Sequence, residues 1–279
     1  MLKILHHNAL DQIAPYVDEM VFERMIPGQI NRFESYEGVN LISFDWLNIH
    51  DIFAPPELIT ICHTKDNLFF VCEGDISYRL VQQLATDDMP EEKPNEKMLY
   101  TFFNGLIKED IAYIETLEEN ITDTEDALLT ASKKECAHEI IEFRRELLRL
   151  KRYYEQLNQI FEELVENERG LIDRTYLRYF KALDNRIDRL FSHVLTLRDY
   201  VTQVREAYQA QIDIEQNSLM KVFTVVTAIF LPLTLIVGWY GMNLRMPEYG
   251  WPHGYLLVIC LSVAVMLFSF IFFKYKRWV

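Results

Sequence analysis

Two stretches of this chain lack charge. Residues 222–244 contain no Asp, Glu, Lys or Arg, and neither do residues 249–273, where His253 is the one titratable side chain of that kind. An ordinary soluble surface helix cannot do without charge over such lengths, and ~20 apolar residues suffice to cross a bilayer as a helix. Other absences narrow the function. There is no Ser-His-Asp arrangement, P-loop or Gly-rich phosphate motif, so nothing supports a hydrolytic enzyme or an organic cofactor. Positive charge is scarce too: the formal net charge is −14. Residues 221–279 carry +4, which leaves −18 on residues 1–220. Phosphate backbones need clustered Lys and Arg, so nucleic acid is excluded as a partner, while cations are attracted.

Cysteine is sparse. Cys62, Cys72, Cys136 and Cys260 fit reduced thiols of a cytosolic body. Cys62 and Cys72 are expected to face each other on a hairpin with His63 nearby, but the spacing matches no usual zinc pattern, and buried apolar thiols are the simpler expectation. The N-terminus has no apolar run of signal-peptide length, so residues 1–220 are expected to stay in the cytosol. Lys221 precedes the first apolar run, and Lys274, Lys276 and Arg277 follow the second. The loop between carries only Arg245 as a base. The positive-inside rule then places both chain ends in the cytoplasm of a two-span protein of the plasma or inner membrane.

Six segments follow, for an α+β chain with two C-terminal spans. Residues 1–95 read as an α/β domain, with a strand over 39–46 and a hairpin of 58–63 and 68–73 turning at Lys65-Asp66-Asn67. Residues 96–170 read as acidic helices, ending near Asn167–Gly170. Residues 171–244 read as one long helix that continues into the first span. From 171 to 238 it would run roughly 100 Å at 1.5 Å per residue. Residues 245–254 form an external loop, 255–273 the second span and 274–279 a basic tail.

Within the long helix, Tyr176, Phe180, Leu183, Ile187, Leu190, Val194, Leu197, Val201, Val204 and Tyr208 recur every three or four residues. This coiled-coil-like seam demands a partner, either in the same chain or in other subunits. Further on, Met220, Thr224, Thr227, Leu231, Thr234 and Gly238 keep the spacing, with Phe223 adjacent, so one face of the first span is small and partly polar. Such a face either packs closely against another helix or lines a wet path. Two spans cannot enclose a pore, so a wet path would need several copies around an axis. The second span, whose polar members are Ser262 and Ser269, reads as the lipid-facing partner.

Between the spans lies Gly241-Met242-Asn243, inside Tyr240-Gly241-Met242-Asn243. Together with Met220-Lys221-Val222, Phe230-Leu231-Pro232-Leu233-Thr234, Met246-Pro247-Glu248 followed by Trp251, and Lys276-Arg277-Trp278, it resembles the CorA family of divalent-cation transporters. These motifs fall within about 60 C-terminal residues, and the architecture agrees over the whole length. The resemblance implies a funnel-shaped homopentamer in lipid that passes Mg²⁺ passively. It implies a selectivity ring of Asn243 shaped by Gly241 and Met242, and a pore lined by Met220, Phe223, Thr227, Leu231, Thr234 and Gly238. The apolar gate would lie at Met220 and Phe223. Glu248 would attract cations in the external loop, and Lys274, Lys276 and Arg277 would form a basic ring. Regulatory Mg²⁺ would be sensed by Glu206, Asp213 and Glu215 between subunits. Within the same fold, zinc (or cobalt and nickel) is the alternative cargo. A non-conducting, membrane-anchored coiled-coil scaffold is the alternative of another class.

Overall fold

A computed structural model describes residues 2–25, 32–86, 95–128, 133–242 and 250–276. It falls into two compact units, Met1–Arg205 and Glu206–Val279.

The first unit is built on a five-stranded sheet of order β1-β5-β4-β3-β2. Its strands are β1 (Leu2–His6), β2 (Phe33–Tyr36), β3 (Val39–Trp46), β4 (Glu57–Thr64) and β5 (Leu68–Cys72). β1 runs parallel to β5, and the other neighbours are antiparallel. β3, β4 and β5 are buried over most of their length; β5 is a continuous apolar run, while β3 and β4 interleave apolar residues with the buried polar Asn40, Ser43, Thr60 and His63. The expected strand over 39–46 and the hairpin through Lys65-Asp66-Asn67 are present, Thr64 closing the turn with bonds to and from Asn67.

The sheet buries both faces. On one, Leu5, Leu41, Cys62, Phe69 and Val71 pack with Leu10, Ile13, Val21 and Met25 from the segment holding α1 (Glu19–Arg24). α2 (Asp75–Thr86) follows β5. On the other face lie α3 (Asn95–Leu106) and α5 (Lys133–Glu166), and α4 (Asp110–Ala127) joins α5 through the Asp110–Tyr154 bond. A chain of rings crosses this layer. Phe70 meets Phe102 at 4.8 Å, Phe103 meets Phe161 at 4.9 Å, and Phe161 meets Phe180 at 6.5 Å. Phe180 belongs to α6 (Arg174–Tyr240), a helix of 67 residues. Asn167 and Gly170, both at positive φ, make the break between α5 and α6. The Asn167 side chain closes that turn, donating to the Ile172 carbonyl and accepting from the Ile172 N–H.

The seam of α6 finds its partner in the same chain: Phe180, Leu183, Ile187, Leu190, Val194, Leu197, Val201 and Val204 are all buried. Polar contacts flank it. Arg186 donates to the Ile107 carbonyl at 2.9 Å, His193 lies 3.0 Å from Glu118, and Tyr200 donates to Glu125 at 2.5 Å. The expected pairing of Cys62 with Cys72 does not occur. Register sets Cys62 opposite Phe69 and Cys72 opposite Ile59. Successive strand residues face opposite ways, so Cys62 and His63 cannot share an ion. Burial pushes both thiols up to about 12, far from the thiolate that zinc requires.

The second unit holds the rest of α6, from Glu206 on, and α7 (Gly254–Tyr275). Both helices are long and apolar enough to cross a membrane. Their large side chains point outward: Phe223, Leu231, Phe230 and Leu235 on α6, and Tyr255, Phe268 and Ile271 on α7, are all exposed. A core helix of a soluble protein would bury such residues.

Candidate functional site

The membrane-type half of α6 carries an open groove of about 820 Å³ along one side, lined among others by Thr227, Leu231, Thr234, Gly238 and Met242. Helical periodicity explains the grouping. Steps of three and four residues return to one face, and Thr and Gly there are smaller than the flanking Phe230, Leu235 and Trp239. Met220 and Phe223 lie toward the other end of the same span, 58% and 65% exposed, and do not line the groove. An exposure of 65% also means that Phe223 does not pack into α7.

The threonines share a geometry. Thr224 donates to the Met220 carbonyl at 2.7 Å, Thr227 to Phe223 at 2.8 Å and Thr234 to Phe230 at 2.9 Å. Each hydroxyl uses its one proton within the helix, which lets a polar residue sit in an apolar span. What remains on each oxygen is lone-pair capacity alone. A threonine face of this kind accepts hydrogen bonds. It suits a hydrated cation, whose water protons point outward.

At its C-terminal end α6 closes with Gly241 N–H to the Val237 carbonyl at 2.9 Å and Met242 N–H to Trp239 at 3.3 Å. A Cβ on Gly241 would come within 2.9 Å of the Val237 carbonyl oxygen, so this turn requires glycine. Asn243 and Glu248, together with Arg277, lie outside the described residues. Across from this end, α6 and α7 bound a cavity of about 650 Å³. Ser262, Trp251 and Tyr255 line it with Val237 and Gly241, so one of the two serines of α7 is turned toward α6 rather than lipid. Lys274 stands in the last turn of α7 and Lys276 at its cap, both exposed, where cations oppose the negative helix end.

Glu206, Asp213 and Glu215 are exposed on α6. Glu206 and Asp213, seven residues apart, share a side of the helix. Glu215, nine residues from Glu206, falls half a turn away. Gln209 donates to Asp213 at 3.3 Å. The trio forms no cluster in one chain, and among the described residues no group of three or more His, Cys, Asp or Glu could hold a metal ion.

A buried carboxyl in the first unit has no mark in the sequence pattern. Asp110 is 1% exposed and accepts a 2.8 Å bond from Tyr154. Burial raises it to about 6, against the lowering pull of the Tyr154 bond and of Arg186. His63 is equally buried, with neither ring nitrogen hydrogen-bonded, and burial lowers it to about 4.

Comparison with known proteins supplies the decisive observation. The family model described as "CorA-like Mg2+ transporter protein" matches residues 1–277. The chain belongs to the CorA-like Mg²⁺ transporter family. The cobalt/magnesium transport protein CorA of Thermotoga maritima is 26% identical over 271 residues, covering 95% of this chain and 77% of that protein. The magnesium transport protein CorA of Haemophilus ducreyi is 26% identical over 270 residues, covering 88% and 79%. Among solved structures, the CorA magnesium transporter of Methanocaldococcus jannaschii aligns with a TM-score of 0.78 at 21% identity, over 98% of this chain and 87% of that one. The CorA fold is therefore present throughout, and this CorA-family chain is a membrane transporter for divalent cations rather than an enzyme or an inert scaffold.

Proposed function

We propose that this chain passes Mg²⁺ across a membrane through a pore shared by five copies, with the exposed Thr227–Leu231–Thr234–Gly238 face of α6 lining it. One observation carries the reading: a hydroxyl-bearing groove of the span is open on a single chain and offers oxygen acceptors. A single span presents it to lipid, where it has no favourable contact. Copies arranged around an axis turn it inward.

Mg²⁺ holds its waters tightly and in octahedral order. Threonine oxygens and a ring of Asn243 amides can accept hydrogen bonds from those waters without stripping them. Neutral oxygens also release the ion faster than a carboxylate ring would, and conduction depends on release. Hard oxygen ligands favour Mg²⁺ over zinc. Gly241, needed for the turn, and Met242 position Asn243 at the pore mouth, and Glu248 draws cations to it. At the opposite end Met220 and Phe223 form an apolar collar that gates by dewetting. Lys274, Lys276 and Arg277 surround that inner end, both termini lying in the cytoplasm. Glu206, Asp213 and Glu215, apart in one chain, meet a neighbour's side chains to sense cytosolic Mg²⁺, which holds the pore closed.

The test is uptake into liposomes containing purified protein, with Mg²⁺, Zn²⁺ and Co²⁺ supplied separately. Mg²⁺ uptake is expected, and Asn243→Ala should abolish its selectivity with the oligomer intact. Normal selective uptake by that variant would sink the filter assignment; uptake of Zn²⁺ alone would overturn the choice of ion.

A further inference from the structure

One face of α5 departs from the acidic character of the chain. Arg145, Arg149 and Arg152, spaced four and three residues apart, all reach a cavity of about 510 Å³ between α5 and the loop that follows β3. Arg149 is half-buried and fixed, its guanidinium donating to the Ala54 carbonyl at 2.7 Å. Arg145 and Arg152 have no ion pair or side-chain hydrogen bond among the described residues.

The acids that could neutralise them are engaged elsewhere. At helical spacing Arg145 has Glu142, Arg149 has Glu146, and Arg152 has Glu155. Glu142 lies 3.2 Å from His138, Glu146 accepts from Tyr113, and Glu155 is 2.9 Å from Lys151. The one carboxylate among the described lining residues, Asp45, sits 3.4 Å from Arg32, while the Asp45 backbone N–H donates to the Gln156 side-chain oxygen at 3.0 Å. The cavity wall thus concentrates positive charge in a chain of net charge −14. Its floor is apolar: Phe53 is 50% and Leu148 44% exposed, next to Pro56.

We propose that this cavity binds a polyphosphate anion. Guanidinium groups pair bidentately with phosphate oxygens. From Arg145 to Arg152 the helix rises about 10 Å, at 1.5 Å per residue. A single carboxylate or monophosphate meets only part of that row, whereas a chain of phosphates spans it. A nucleoside polyphosphate and an inorganic polyphosphate share this chemistry. They differ in that the nucleoside has a ring to lay on Phe53.

The experiment is isothermal titration of the full-length protein in detergent, with EDTA present so that chelation of residual metal gives no signal. ATP, sodium tripolyphosphate and AMP are titrated separately. Saturable binding of ATP or tripolyphosphate is expected, at least tenfold tighter than AMP. The double variant Arg145→Gln/Arg152→Gln should weaken it at least tenfold with an unchanged melting temperature, since neither side chain holds a structural contact. Phe53→Ala separates the sources: weaker ATP binding with unchanged tripolyphosphate binding identifies a nucleotide, and equal binding of both identifies inorganic polyphosphate. No saturable heat from either polyphosphate at millimolar concentration, or an unchanged affinity in the double variant, overturns the proposal.

Discussion

Two single residues give readings that separate cleanly. His63 is buried without a partner and lowered to about 4 from 6.5, by burial alone. Between these values the unfolded chain binds a proton that the folded chain refuses. Stability therefore falls as pH drops through 6.5 and levels off near 4, a loss of roughly 3 kcal/mol. His63→Leu should flatten the thermal-unfolding profile in that window; an identical slope would show that His63 finds water or a partner. Asp110, raised to about 6, acts with the opposite sign, so the difference between variant and wild type is the quantity to read. Phe223 belongs to the second unit and is 65% exposed. Truncating it leaves no cavity, so Phe223→Ala should preserve assembly and raise basal Mg²⁺ flux if five rings form the gate. Unchanged flux at both high and low Mg²⁺ would place the gate elsewhere. That Phe223 lies in a long apolar helix was legible from the charge-free run around it. The burial of Asp110 was not, because Asp110 sits among exposed acids in a sequence where 42 residues are Asp or Glu.

At the scale of elements, the period of α6 revealed which face is buried but not what buries it. Phe180 to Val204 pack inside one chain. Leu190→Ala should therefore cost about 2–5 kcal/mol, as large-to-small core changes do, and should lower the melting temperature whatever the oligomeric state. A melting temperature that fell only on assembly would move the seam to a subunit interface. The strands of the hairpin were readable because Lys65-Asp66-Asn67 interrupts two apolar runs. β1 was not, since five residues near a chain end give no pattern, and its partner β5 lies more than sixty residues away. The turn between α3 and α4 was equally hidden. No Pro marks it and Gly105 lies inside α3; Arg186, reaching from α6 to the carbonyls of Ile107 and Lys108, ties it down from a distance.

For the whole molecule, the decisive quantity is unpartnered apolar surface in the second unit. Large residues of both spans are exposed, and lipid can cover those, but it cannot satisfy the threonine groove. Under the proposed shared pore, association of copies would be driven by close packing around small residues, which membranes favour. It is opposed by the formal −18 on residues 1–220 of each chain, because assembly gathers like charges. In the proposed pentamer, divalent cations between acidic side chains such as Glu206 and Asp213 of one copy and those of the next would relieve that repulsion. Purified protein in mild detergent should thus run as a pentamer by light scattering. Lowering salt and removing Mg²⁺ with a chelator should loosen it, and millimolar Mg²⁺ should restore it more effectively than Na⁺ of equal ionic strength. A monomer that still transports Mg²⁺ on reconstitution would refute the shared pore, and a pentamer indifferent to chelator would remove the acidic residues of α6 from the assembly.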